Sequence, residues 1–222
     1  MKISNETLAV LKNFASINTG IAVKTGNRLR TISGQKNILA ETTVGETFES
    51  DFAIYDLNQF LGAVSLFGDG TEFEFADTNV QIKNGGKKIK YFYADPSMVT
   101  SPPDKQLPTD ADVEFEMPGS AMADVLRGAS VLGAPDIVVS SDGSSTTKFV
   151  ATDVKNDTSN NFEVEVDHKS PVPFRMVFRA ENLKMLPGSY NVKLTPRYGL
   201  FTSTKTDLRY FVSVEAGSSY GG

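Results

Sequence analysis

The chain has 222 residues, no cysteine, no tryptophan, a single histidine and a formal net charge of −5. Without cysteine there is no disulfide framework, thiolate metal site, iron–sulfur cluster or thiol nucleophile, and His168 by itself does not make a zinc cluster. The negative charge disfavours wrapping onto phosphate by bulk attraction. No apolar run approaches the roughly 18 residues of a membrane span, and the start MKISNETL lacks the apolar stretch of a secretory leader. The expectation is a soluble cytoplasmic chain of one large domain or two of about 110 residues each.

In chain order, the first predicted element is a helix capped by Ser4, with Leu8, Leu11, Phe14 and Ala15 on one face. Three period-two segments follow over residues 19–43, with turns at Thr25-Gly26-Asn27 and Gly34. A strand over 47–55 leads into a second helix, capped by Asp56, with Leu57, Phe60, Leu61 and Val64 inward. Residues 71–93 form a second three-strand meander, with a hairpin signal at Asn84-Gly85-Gly86. Residues 95–111 hold Pro96, Pro102, Pro103 and Pro108 and no period, the signature of a semi-rigid extended linker. A strand over 112–117 then leads into a third helix at Gly119, with Met122, Val125, Leu126 and Ala129 inward, followed by a meander over 135–166. A strand over 172–179 precedes a short fourth helix near Glu181, bearing Leu183 and Leu186 and ended by Pro187-Gly188, and residues 189–215 make the last meander.

One unit of helix plus three strands thus recurs about four times, two on each side of the linker. Residues 1–110 and 111–222 carry net charges of −2 and −3, as duplication would leave them. The predicted organisation is an N-terminal domain over 1–94, a linker over 95–111 and a C-terminal domain over 112–222. The outward helix faces (Asn5, Ala9, Lys12, Asn13 and Ser16; Asn58, Gln59, Gly62 and Ala63; Ser120, Ala123, Asp124 and Arg127) are small and mostly neutral. They read either as ordinary solvated faces or as a smooth, mildly positive surface that lies near nucleic acid without gripping it.

Leu11-Lys12-Asn13-Phe14-Ala15, AIYDLNQFLG over 53–62, ADPS over 94–97, LKMLPGSYNVKL over 183–194 and RYFVSVEA over 209–216 carry a resemblance. The chain resembles the sliding clamps, the DNA polymerase processivity factors, of T-even-type bacteriophages. The resemblance implies an α+β DNA-clamp fold of two similar domains, each with two helices and two antiparallel sheets. It further implies a homotrimeric ring that encircles double-stranded DNA topologically and without sequence preference. No catalysis, cofactor, metal or membrane contact is expected. Lys2, Lys12, Arg127 and Lys184 are the expected DNA-facing residues. The partners implied are the C-terminal tail of the DNA polymerase, a clamp-loader ATPase and late transcription factors, in the cytoplasm of an infected bacterial host. Partner tails of such clamps enter a hydrophobic pocket beside the linker, for which Met98, Val99, Leu107, Phe211 and Val214 are candidates. Rings of this architecture join the last strand of one domain to an edge strand of the next chain. The strand bearing Lys88 and Lys90 and the strand bearing Glu163 and Glu165 have the opposite charges such a join needs. The alternative from another class is a β-rich phage structural or adaptor protein with no DNA threaded through it.

Other signals lead nowhere. The carboxylates alternate along strands and turns rather than converging in a pair. Asp153, Asn156 and Asp157 begin like a calcium loop but lack its glycine and closing glutamate. No phosphate-binding glycine motif is present. His168, between Asp167 and Lys169, is expected to be exposed.

Overall fold

A computed structural model describes residues 1–104 and 107–221. The chain divides into two compact units, Met1–Asp104 and Lys105–Gly222. The division falls inside the proline-rich stretch, of which residues 105 and 106 lie outside the described residues.

The first unit contains α1 (Asn5–Ile17), β1 (Ile21–Val23), β2 (Gly26–Ile32), β3 (Ile38–Phe48), β4 (Phe52–Ile54), α2 (Leu57–Ser65), β5 (Glu72–Phe75), β6 (Asn79–Asn84) and β7 (Lys87–Phe92). All pairings are antiparallel: β1 with β4, β2 with β3, and the meander β5-β6-β7. The helix α1 packs on α2 and lies against β2 and β3, burying Leu11, Phe14 and Ala15. Burial of a side chain such as Leu11 or Phe14 contributes about 1.5–3 kcal/mol. Ser4 caps α1 by accepting from the Thr7 N–H. Glu46, reaching over from β3, accepts from the Ser4 N–H and the Thr7 hydroxyl, each at 2.5 Å. Burial works against the Glu46 charge, but these bonds outweigh it and hold its pKa below the ordinary carboxylate value. The helix α2 is capped by Asp56, which accepts from the Gln59 N–H at 2.8 Å.

The second unit contains β8 (Val113–Met117), α3 (Gly119–Leu132), β9 (Asp136–Ser141), β10 (Thr146–Thr152), β11 (Phe162–Lys169), β12 (Phe174–Arg179), β13 (Tyr190–Leu194), β14 (Tyr198–Ser203), β15 (Arg209–Ser213) and β16 (Ser219–Tyr220). The orders are β11-β10-β9-β12-β16 and β15-β14-β13-β8, both antiparallel throughout. The helix α3 covers β9, β10 and β11 through Met122, Val125 and Ala129.

The predicted fourth helix is not formed. A single 3-10 turn, Ala180–Asn182, stands in its place, and the chain then runs irregularly to Ser189. The physical reason is visible at Leu186. Its N–H donates to the Tyr210 hydroxyl at 3.1 Å, which diverts the one backbone donor a final helical turn would use, and its carbonyl accepts from the Tyr190 hydroxyl. A run of about seven residues before Pro187 also cannot repay helix nucleation. Burial raises the pKa of Tyr190 and pushes that of Tyr210 up to about 12. The irregular segment seats α3. Pro118 gives that helix no side-chain cap, and the Gly119 N–H instead donates to the Ser189 hydroxyl at 3.1 Å. A Cβ on Gly119 would sit 2.8 Å from the Gly188 carbonyl, so the two glycines set how closely the segment approaches. The predicted strand over 47–55 is likewise two pieces, β3 ending at Phe48 and β4 starting at Phe52.

Candidate nucleic-acid and subunit interfaces

The structure leaves Lys2, Lys12, Arg127 and Lys184 all exposed. Lys2 precedes α1, Lys12 is on its outer face and Arg127 is on that of α3, 3.5 Å from Asp124 one turn before it. Lys184 follows the 3-10 turn rather than riding on a helix, a correction to the expected placement. Together α1, α2 and α3 contain two acids, Glu6 and Asp124, and two bases, Lys12 and Arg127. The helices are therefore neutral in a chain of charge −5, and α2 has no charged residue at all.

Both strands expected at the subunit edges are edge strands of their own sheets, β7 in the first unit and β11 in the second. Lys88 and Lys90 are exposed on β7, with the Lys90 ammonium 5.0 Å from the centre of the Phe92 ring. Glu163 and Glu165 are exposed on β11, and both already face a cation of their own sheet. The Lys148 ammonium of β10 lies 2.7 Å from Glu163 and 3.7 Å from Glu165. The Glu163 hydrogen bond raises the Lys148 pKa. No local sequence signal marks Lys148, because the pairing depends on the β10–β11 register, which sets Lys148 opposite Glu165. Each edge also exposes an aromatic side chain, Phe92 at 63% and Phe162 at 40%. Phe162 lies over Gly128 of α3, where a Cβ would be 2.3 Å from the ring.

The five pocket candidates have different surroundings. Met98, in a 3-10 turn over Pro96–Met98, is 60% exposed. Val99 is buried and stands 3.2 Å from where a Cβ of Gly20 would be. The stretch after it is fastened to the first unit. The Asn18 amide donates to the Ile32 and Thr100 carbonyls at 3.0 and 2.9 Å, and Arg30 donates to the Pro103 carbonyl at 3.1 Å. Arg30 is itself oriented by the buried Glu41 at 3.0 Å. In the second unit Leu107 and Val214 are half-buried, and Phe211 is buried against Tyr198 with ring centres 6.1 Å apart.

His168 is not exposed as expected. Period-two alternation in β11 puts it on the face of Val164 and Val166. There it stacks on Phe115 with ring centres 4.9 Å apart, and its Nδ1 is 2.7 Å from the Thr147 hydroxyl. Desolvation lowers its pKa. In the 153–161 loop, the Asp153 and Asn156 side chains accept from the N–H groups of Lys155 and Thr158. These are turn-closing bonds, and among the described residues no group of acidic or histidine side chains is arranged to hold a metal.

Residues 4–100 match the family model for the DNA polymerase processivity factor. Over 222 aligned residues the chain is 33% identical to the sliding clamp of Vibrio phage KVP40, covering 97% of this chain and all of that one. The chain belongs to the sliding-clamp family. It is also 30% identical to the sliding clamp of Enterobacteria phage T4, with 99% of each chain covered. Among solved structures, the Helicobacter pylori beta clamp bound to a DNA ligase peptide aligns at TM-score 0.72 and 14% identity. That alignment covers 96% of this chain, which spans 64% of the length of the bacterial clamp. The A. fulgidus PCNA bound to the C-terminal region of FEN-1 aligns at TM-score 0.70 and 14% identity, with 96% of both chains covered. At these identities the structures establish the α+β clamp fold. The sliding clamp is a processivity factor and not an enzyme.

Proposed function

We propose that three copies of this clamp close head to tail into a ring around duplex DNA, and that the ring holds the replicative polymerase by topology rather than by grip. The observation that carries this reading is the pair of oppositely charged edge strands, β7 with Lys88 and Lys90 and β11 with Glu163 and Glu165. Cross-strand opposite charges contribute about 0.2–1 kcal/mol each, and the exposed Phe92 and Phe162 add apolar surface to the same two edges. Such an interface is modest and salt-sensitive, which suits a ring that a clamp-loader ATPase must open. The neutral helices support their placement toward DNA. A phosphate gripped tightly would have to be released at every step of sliding. Lys2, Lys12, Arg127 and Lys184 then supply only a weak field, with roughly 0.9 counterion released per phosphate neutralised.

In this reading the domains are residues 1–94 and 112–222, joined by the linker 95–111. The exposed Met98 of the first unit is the anchor offered to the polymerase C-terminal tail, and late transcription factors use the same mobile ring in the cytoplasm of the infected host. The test has two parts. Native mass spectrometry is expected to give a trimer, and loaded protein is expected to stay on circular DNA and run off linear DNA. Equal retention on both forms, or a monomer at every concentration, refutes the ring.

A further inference from the structure

Each of the two edge strands has a defined backbone phase. Among the described residues, β7 and β11 each have a neighbouring strand on one side only. The Tyr93 N–H donates to the Thr78 carbonyl at 3.0 Å, in the same register that pairs Tyr91 with Val80 and Ile89 with Ile82. Backbone groups of an antiparallel strand alternate in direction, so the N–H and C=O of Lys88 and Lys90 point to the open side of β7. In the second unit the Ala180 N–H donates to the Pro135 carbonyl at 2.9 Å. Carried through the registers of β12, β9, β10 and β11, that phase turns Phe162 and Val164 toward β10, and Glu163 and Glu165 toward the open side. On both edges the charged residues are therefore the ones whose backbone faces an incoming strand.

The residues between them lie on the helix side. Tyr91 packs edge-on against Phe60 of α2, with ring centres 5.3 Å apart, and its hydroxyl donates to the Gln59 side chain at 3.0 Å. At this edge opens a cleft of about 370 Å³, lined by Tyr55, Gln59, Tyr91, Phe92 and Tyr93 among others. That volume is at the small end of ligand clefts, which suits a single inserted side chain better than a cofactor or a long peptide. In the second unit Phe162 lies over Gly128, which puts its ring on the α3 side of β11, and it is exposed there. Val131, one turn beyond Gly128 on the same helix, is exposed as well.

We propose, resting on the head-to-tail ring above, that Phe162 of one copy seats in this cleft of the next and fixes the join with Lys88 opposite Glu165 and Lys90 opposite Glu163. Antiparallel pairing sets outward-pointing residues of the two strands against each other, so the allowed registers differ by steps of two residues. The register named gives each lysine a glutamate. A slip one way sets Glu163 against the Phe92 ring, and a slip the other way sets Lys90 opposite Asn161. In the named register Tyr91 and Phe162 form a non-hydrogen-bonded pair on the helix side, with Cα atoms about 4.5 Å apart, the closer of the two antiparallel spacings. A second copy is the occupant because one strand of it brings the complementary charge, the matching backbone phase and the exposed aromatic ring to the same place. Ion pairs on one face and the aromatic pair on the other then act on the same two strands.

The chain has no cysteine, so introduced pairs report without background. Directly opposed residues of a hydrogen-bonded pair, with Cα atoms about 5.5 Å apart, can form a disulfide, whereas a pair offset by two residues, at about 7–8 Å, cannot without backbone movement. Under mild oxidation, at concentrations where native mass shows trimer, Lys90→Cys with Glu163→Cys is expected to give disulfide-linked trimer on a non-reducing gel. Lys90→Cys with Glu165→Cys is expected to link about tenfold less. Phe162→Ala is expected to weaken each interface about tenfold in sedimentation, and Phe92→Ala, on the opposite face, to weaken it less. Gln59→Trp, which fills the cleft from an exposed position of α2 and leaves Phe162 in place, is expected to act like Phe162→Ala. A trimer in which the 90–163 pair does not link, or the 90–165 pair links as well, overturns the proposal and leaves the cleft to another occupant. Unchanged assembly of both Phe162→Ala and Gln59→Trp does the same. A parent chain that is monomeric at every concentration refutes the ring itself, and the join with it.

Discussion

Reversing Lys88 and Lys90 to Glu is the sharpest test of the subunit edge. Each change replaces an attraction worth about 0.2–1 kcal/mol by a repulsion of similar size. The structure argues for the low end. Glu163 and Glu165 are already shared with Lys148, and the side chains of that trio are 36–57% exposed, so solvent screens them. About 1 kcal/mol per interface, over three interfaces, is about 3 kcal/mol per ring, or on the order of a hundredfold in the trimer association constant. Sedimentation at low and at high salt reads this directly, with the gap closing as salt rises. The rescue is more demanding than the charge pattern suggests. Glu163→Lys with Glu165→Lys would set two new cations against Lys148, so trimer is expected to return only when Lys148→Glu is added. A charge-reversed β7 variant that assembles like the parent refutes the reasoning, as does a rescue that works without changing Lys148.

Three further outcomes are expected. Gly119→Ala forces a Cβ to within 2.8 Å of the Gly188 carbonyl, and overpacking of that kind costs about 1–3 kcal/mol. Gly62→Ala, in open space on α2, is expected to stabilise by about 0.5–1 kcal/mol; urea denaturation measures both, and equal effects would refute the steric argument. His168 has its pKa lowered by burial, so the unfolded chain binds the proton more readily than the folded one. Stability is therefore complete above the ordinary histidine range and falls as pH drops through it toward the lowered folded value. His168→Gln is expected to flatten that part of the stability–pH profile, and an unchanged profile would remove the histidine from the account.

The repeating layout was legible in the sequence because it depends on short-range periodicity. The caps Ser4 and Asp56, the apolar faces of α1, α2 and α3, and the turn at Asn84-Gly85 are all local, and each appears where the pattern put it. The family resemblance lay in the same local stretches. What depends on partners distant in sequence was not legible. The fourth helix failed where the Tyr210 hydroxyl takes the Leu186 N–H from 24 residues away. Glu46 completes the α1 cap from 39 residues beyond Thr7, and Ser189 caps α3 from 70 residues beyond Gly119. Lys148 meets Glu163 and Glu165 only through a strand register.

The −5 charge and the missing cysteine and tryptophan narrowed the chemistry from the start, and side-chain period two and helical period 3.6 determined most of the elements. Those are properties of neighbouring residues, and a chain carries them before it folds. Which carboxylates remain free, which backbone groups are unpaired and which lysine faces which glutamate are properties of distant segments brought together. Only the tertiary structure decided them, because a hydrogen bond or ion pair forms over about 3 Å whatever the separation along the chain.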